Sequence, residues 1–199
     1  NSPNYQNYLL LAEIRFQLGR LYFNANRLDE AVLQLNRALG LAPNHSNSLY
    51  VLGLVYKKSG AIDKSIISFK KAVEESPDDW EAYYNLGLSY SLIDSLLEDA
   101  VDVFKKSIEL DSTNAEVHYH LGMVYGRLGK LAHQIIELQK SVRLKPNYAQ
   151  ARIDLGIAYF NNKQYLSAWE EVKELEKLGH KVPEDFIKVL SRALPRPKN

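Results

Sequence analysis

Residues able to do chemistry by themselves are few in this 199-residue sequence, and their spacing argues against catalysis. Of five histidines, His118 and His120 stand two apart, which on a helix points them to nearly opposite faces, so they cannot share a metal ion. No His-Glu-x-x-His string occurs. The string Gly126-Arg127-Leu128-Gly129-Lys130-Leu131 is like a phosphate loop only in outline. It lacks the four-residue gap between glycines and the Ser or Thr after lysine that would hold magnesium, and its context is a helix running into a turn rather than a strand. No nucleophile elbow and no Ser, His and Asp set stands out by spacing. The paired acids Glu74-Glu75 and Glu170-Glu171 read as solvated helix face. Without cysteine, disulfides, thiolate nucleophiles and Cys-ligated zinc are excluded. The reading is of a non-enzyme with no catalytic residues, no metal and no cofactor.

The composition, 46% apolar and 25% charged, is that of a soluble globular protein. Lys and Arg number 25 against 24 Asp and Glu, so no global field gathers phosphate backbones or anionic lipid, and nucleic acid is not an expected partner. Leu49 to Tyr56, the longest near-apolar stretch, is far short of the ~18 to 20 residues that span a bilayer, so direct membrane insertion is not expected either. The compartment is left open, with a cytoplasmic setting favoured over a periplasmic or secreted one. A start at Asn1 without methionine points to a processed protein or a piece of a longer one.

What the chain does have is a period. Leu-Gly-x-x-Tyr occurs five times, with glycines Gly19, Gly53, Gly87, Gly122 and Gly156 spaced by 34, 34, 35 and 34 residues. Downstream of each lies a further residue, usually small, followed four later by an apolar one: Ala31 and Leu35, Ser65 and Phe69, Ala100 and Phe104, Gln134 and Leu138, Ala168 and Val172. Pro43, Pro77 and Pro146 close three units, and Ser112 stands where a fourth proline would be. A glycine inside a helix costs about 1 kcal/mol relative to alanine, and accepting that five times at one phase means something presses on that face. The expected neighbour is the second helix of the same unit, through its small residue. Capping-box spacing joins Asp78 to Glu81, Thr113 to Glu116 and Asn147 to Gln150, while Gly60 and Gly129 mark turns inside units.

These residues resemble the tetratricopeptide repeat family, whose 34-residue helix-turn-helix unit carries this Leu-Gly, Tyr, Ala, Phe and Pro pattern. The resemblance implies an all-α, right-handed superhelical solenoid of antiparallel helix pairs. Five units are expected at 12–45, 46–79, 80–114, 115–148 and 149–182, after an N-terminal helical extension at 1–11. Tyr5 to Leu11 either lengthens the first helix or remains from a preceding unit. A capping helix at 183–194 would show Phe186, Ile187, Leu190 and Leu194 on one face, and 195–199 forms a tail made basic by Arg196 and Lys198, with Arg192 just before it. The extra residue of the third unit, near Asp94-Ser95-Leu96-Leu97, reads as a tolerated turn variant. His118 falls where the family has a large packing side chain, so it is expected in or near the core.

In this family the first helices line a concave groove, mainly through the second, fifth, sixth, ninth, twelfth and thirteenth residues of each unit. The resemblance therefore places Phe16, Tyr50, Tyr84, Tyr119 and Ile153 in one row and Arg20, Leu54, Leu88, Met123 and Ile157 in the next. The partner-binding set is Tyr50, Leu54, Lys57, Tyr84, Asn85, Leu88, Tyr119, Met123, Arg127 and Ile157, centred on Tyr84, Leu88, Tyr119 and Met123. Glu13, Glu81 and Glu116 on one rim and Lys57, Lys58 and Arg127 on the other fit either ligand polarity or helix-dipole complementarity. A subclass grips a terminal carboxylate with lysine, arginine and asparagine. Only Asn85 matches a place in that clamp. The expected function is a scaffold or adaptor that binds a peptide or helix of another protein, with self-association also in view. The alternatives are a targeting or substrate-recruiting segment of a larger enzyme or assembly complex, and a helical-repeat RNA binder, which would want a basic inner surface absent here.

Overall fold

The computed structural model describes residues 3–197, with side chains from residue 6 onward. Its helices are α1 (Pro3–Asn24), α2 (Leu28–Leu41), α3 (Ser46–Lys58), α4 (Ile62–Glu75), α5 (Trp80–Tyr90), α6 (Leu97–Leu110), α7 (Ala115–Arg127), α8 (Leu131–Leu144), α9 (Ala149–Asn161), α10 (Tyr165–Lys177) and α11 (Glu184–Ala193). A short 3-10 turn, Asp94–Leu96, precedes α6 and takes up the extra residue of the third pair. The chain divides into two compact units, Asn1–Leu110 with α1 to α6 and Asp111–Asn199 with α7 to α11. Tyr5 to Leu11 is the beginning of α1, which makes that helix 22 residues long. The fold is an all-α tetratricopeptide solenoid built of antiparallel helix pairs.

Tight turns join the two helices of a pair. Gly60 and Gly129 hold φ of 78° and 70°, and Asn26 and Lys163 adopt the same left-handed conformation at 59° in the first and fifth pairs. Between pairs, His45, Asp79 and Asn114 cap the next helix. Asp79 accepts from the amides of Glu81 and Ala82, and Asn114 from those of Glu116 and Val117. The capping side chains are thus one residue later than the box spacing predicts. Tyr148, preceding α9, provides no side-chain cap.

Glycine contacts also differ from the sequence expectation. In the first four pairs the second helix does press on the glycine, but the side chain facing it is the large apolar residue; the earlier position contributes its backbone oxygen, 3.4 Å from an added Cβ, at Ala31 for Gly19 and at Gln134 for Gly122. A Cβ on Gly19, Gly53 or Gly87 would lie 2.7 Å from Leu35, Phe69 or Phe104, and on Gly122 3.1 Å from Leu138. Phe69, Phe104, Leu35 and Leu138 are fully buried, so the glycine is the socket into which they fit. Small residues contribute otherwise: Ser65 Oγ donates to the Gly53 carbonyl at 3.0 Å and meets Ser89 Oγ at 3.1 Å, joining α3, α4 and α5. In the fifth pair Val172 is short, and the nearest side chain to Gly156 is Phe186 of α11 at 3.4 Å.

A recurring staple closes three of the pairs. Arg15 donates to Gln34 at 3.0 Å, Arg152 to Glu171 at 2.7 Å, and His118 Nδ1 lies 2.6 Å from Glu137 Oε2, each pair being 19 residues apart. His118 is 4% exposed, in the core as expected. Glu137 also accepts from Lys140 at 2.8 Å.

Candidate functional site

In the first unit the surface expected to bind begins where α1, α3 and α5 lie side by side. Glu13 and His45 meet at 3.2 Å, and the His45 ring packs on Phe16 at a centroid distance of 5.2 Å. Phe16 is 6% exposed, so this member of the aromatic row is core. Beside it a shallow depression is lined by Glu13, Gln17, Arg20, Asn47 and Tyr50.

One step along, three residues of the expected set join to one another. Asn85, 7% exposed, donates through Nδ2 to Tyr50 Oη at 3.2 Å, and its Oδ1 accepts from Lys57 Nζ at 2.6 Å. Tyr50 stacks obliquely on Phe69, and Lys57 lies 6.0 Å from the same ring. Burial, with Glu81 and Asp79 nearby, pushes the Tyr50 hydroxyl up to about 12, so it stays a neutral donor and acceptor. Burial also lowers the Lys57 ammonium from its ordinary value, because the charged form loses water. Both ends of the Asn85 amide are engaged, and a carboxylate clamp would have to take them from Tyr50 and Lys57. Leu54 and Leu88 sit beside this chain of hydrogen bonds, both partly exposed. Tyr84 is partly buried between Trp80 and Phe104, at centroid distances of 6.5 and 6.1 Å.

The second unit repeats the arrangement with other groups. Tyr119 Oη donates to Asp154 at 3.0 Å, which also accepts from Gln150, and the Tyr119 ring packs on Tyr148 at 5.1 Å. Burial and the Asp154 charge raise the Tyr119 hydroxyl well above its ordinary range. Met123 is partly exposed, Ile157 is 38% exposed, and Arg127 is exposed at the end of α7. These tyrosine hydroxyl bonds are not legible from the sequence, because partners 35 residues apart form no local pattern.

Among the described residues no cluster of His, Asp and Glu could hold a metal ion, and no helix is long and apolar enough to cross a membrane. Gly126 lies against the Gln134 side chain, and Gly129 takes the turn after α7, so this segment is a helix end. Arg196 donates to Glu176 and stacks over Trp169, while Lys198 lies outside the described residues.

This architecture of stacked helix pairs, with glycine sockets and a first-helix face, defines a helical-repeat protein. Tetratricopeptide repeat models match residues 16–79, 68–101 and 115–148, and a TPR repeat model matches 97–129. The chain belongs to the tetratricopeptide repeat family. Among solved structures it is similar to a MamA protein, 29% identical over 84% of this chain and 91% of that one, with a TM-score of 0.79. It is also similar to MamA from residue 41 to the end from Desulfovibrio magneticus RS-1, at 21% identity, 84% and 94% coverage and a TM-score of 0.78. A third, YrrB, described as a TPR protein with an unusual peptide-binding site, is 20% identical over 82% of this chain and 84% of that one, with a TM-score of 0.72. A search of curated proteins finds no significant match.

Proposed function

We propose that this protein is a non-catalytic scaffold whose first-helix faces bind an apolar peptide or helix of another protein. The observation that carries the reading is that the partly exposed Leu54 and Leu88 stand on the same helices as polar groups already bonded to each other. With Tyr50, Asn85 and Lys57 joined, that surface offers apolar carbon and few unspent donors. Such a surface gains by covering apolar area and gains little from a terminal carboxylate. Met123 and Ile157 offer the same kind of surface on the second unit. The five-unit partition at 12–182 with a cap at 183–194 belongs to this proposal, since the cap leaves the first-helix faces as the place for a partner.

Selection from a random peptide library on the immobilised protein tests it. The expected sequences carry apolar or aromatic residues three or four apart, matching a helix. Enrichment of peptides that depend on a free C-terminal carboxylate would overturn the reading.

A further inference from the structure

In the first unit the first-helix face has two edges of opposite sign. Where these helices begin stand Glu13 of α1 and Asp79 and Glu81 at the start of α5; toward their ends stand Arg20 of α1 and Lys57 and Lys58 of α3. Two of the acids are already employed, since Glu13 accepts from Gln17 and meets His45, and Asp79 caps α5. The bases are not. Arg20 lies over the Phe16 ring at 5.9 Å, Lys58 over the Phe23 ring at 5.4 Å, and Lys57 reaches only the neutral amide of Asn85. Among the described residues none of the three has a carboxylate partner. Burial lowers Lys57, and no neighbouring acid restores it. Complementarity to the helix dipole accounts for Lys57 and Lys58 in the last turn of α3, but Arg20 stands ahead of the last turn of α1.

Given the apolar groove proposed for the first-helix faces, on which this rests, we infer that its occupant in the first unit is an amphipathic helix with one acidic flank, laid across α1 and α3 so that its acids meet Arg20, Lys57 and Lys58. The dimensions suit it. Glu13 and Arg20 line one shallow depression and are seven residues apart, about 10 Å along α1, close to the diameter of a helix with its side chains. Lys58 of α3 rests on Phe23 of α1, one turn beyond Arg20, and Lys57 reaches toward α5, so the cations form one edge across the three helices. Apolar area supplies the affinity, while the unpaired bases decide which partner is accepted and which way round it lies. A nucleic acid strand fits less well: the rings beneath Arg20 and Lys57 belong to Phe16 and Phe69, 6% and 0% exposed, which leaves them no open face for base stacking.

Two amidated helical peptides with the same apolar residues three and four apart test the inference, one carrying glutamates along one flank and the other lysines in their place. Titrated against the protein at about 20 mM salt, the glutamate peptide is expected to bind at least about tenfold more tightly, with the ratio falling toward one at about 0.5 M. Arg20→Glu combined with Lys58→Glu should reverse the order, with the melting temperature kept because both side chains are exposed. Equal affinities at low salt, or a preference unmoved by the double reversal, would overturn the acidic flank and leave the apolar groove standing. Failure of both peptides to bind at either salt would overturn the groove and the flank together. Displacement of the glutamate peptide by oligothymidylate would overturn the inference in favour of nucleic acid.

Discussion

Gly87 and Gly156 hold the same step of the repeat and meet different neighbours. A methyl at Gly87 would press on the buried Phe104 ring at 2.7 Å, whereas at Gly156 the nearest atoms are at 3.4 to 3.6 Å, ordinary contact. Gly87→Ala should therefore destabilise by ~1 to 3 kcal/mol. Gly156→Ala should be neutral or stabilising by up to about 1 kcal/mol, through helix propensity. Denaturant melts of the two variants check this, and equal losses would contradict the socket account. Glu137 gives a pH effect of definite sign. Burial alone would raise its carboxyl, but hydrogen bonds from His118 and Lys140 hold it below the ordinary range. A lowered folded-state pKa adds stability that is complete above the unfolded-state value and fades as pH falls through the folded one. The wild-type melting temperature should thus fall more steeply than that of Glu137→Gln below about pH 5; parallel curves would contradict it. At this scale sequence reading reached least. The glycines were legible as contact points, but their contacts were assigned to the small residue. The caps fell one residue early because Asp78 and Asp79 are equivalent on paper, and Asn114 competes with Thr113.

Helices were legible almost throughout, since phase and punctuation act locally. Proline and the left-handed turns at Gly60 and Gly129 separate them, while Asn26 and Lys163 show that the same turn forms without glycine. α11 illustrates what a pattern leaves out. Its apolar face was readable, but its wedge was not: the side chain nearest a Cβ on Gly156 is Phe186 of α11, at 3.4 Å. Leu190 is fully buried, and Trp169 Nε1 donates to the Leu194 carbonyl at 3.0 Å, so the tail is fastened at both faces. Truncation after Lys181 should lower the melting temperature and expose Trp169 and Val172, promoting association. Light scattering and thermal melting of the truncated chain beside the full one would check this. A truncated chain that melts unchanged and stays monomeric would mean that α11 contributes no cover.

For the molecule as a whole, stability comes from helix pairs and their neighbours added along the chain, so surface change at one face need not unfold it. Each unit shows partly exposed leucine, methionine or isoleucine beside tyrosines whose hydroxyls are already bonded. The rows were legible through the resemblance, while the bonding that quiets their polar members was not. It follows that charge should matter less than apolar area to a partner, and Lys58→Ala should weaken binding modestly and mainly at low salt. The most direct measurement is the affinity of Leu88→Asp for a peptide selected on the wild-type protein, determined by calorimetry beside a thermal melt. The account predicts a loss of about 2 kcal/mol or more in binding, at least tenfold in Kd, with the melting temperature preserved. Unchanged affinity in a folded Leu88→Asp protein, or a collapse of its melting temperature showing that Leu88 is a packing residue, would contradict it.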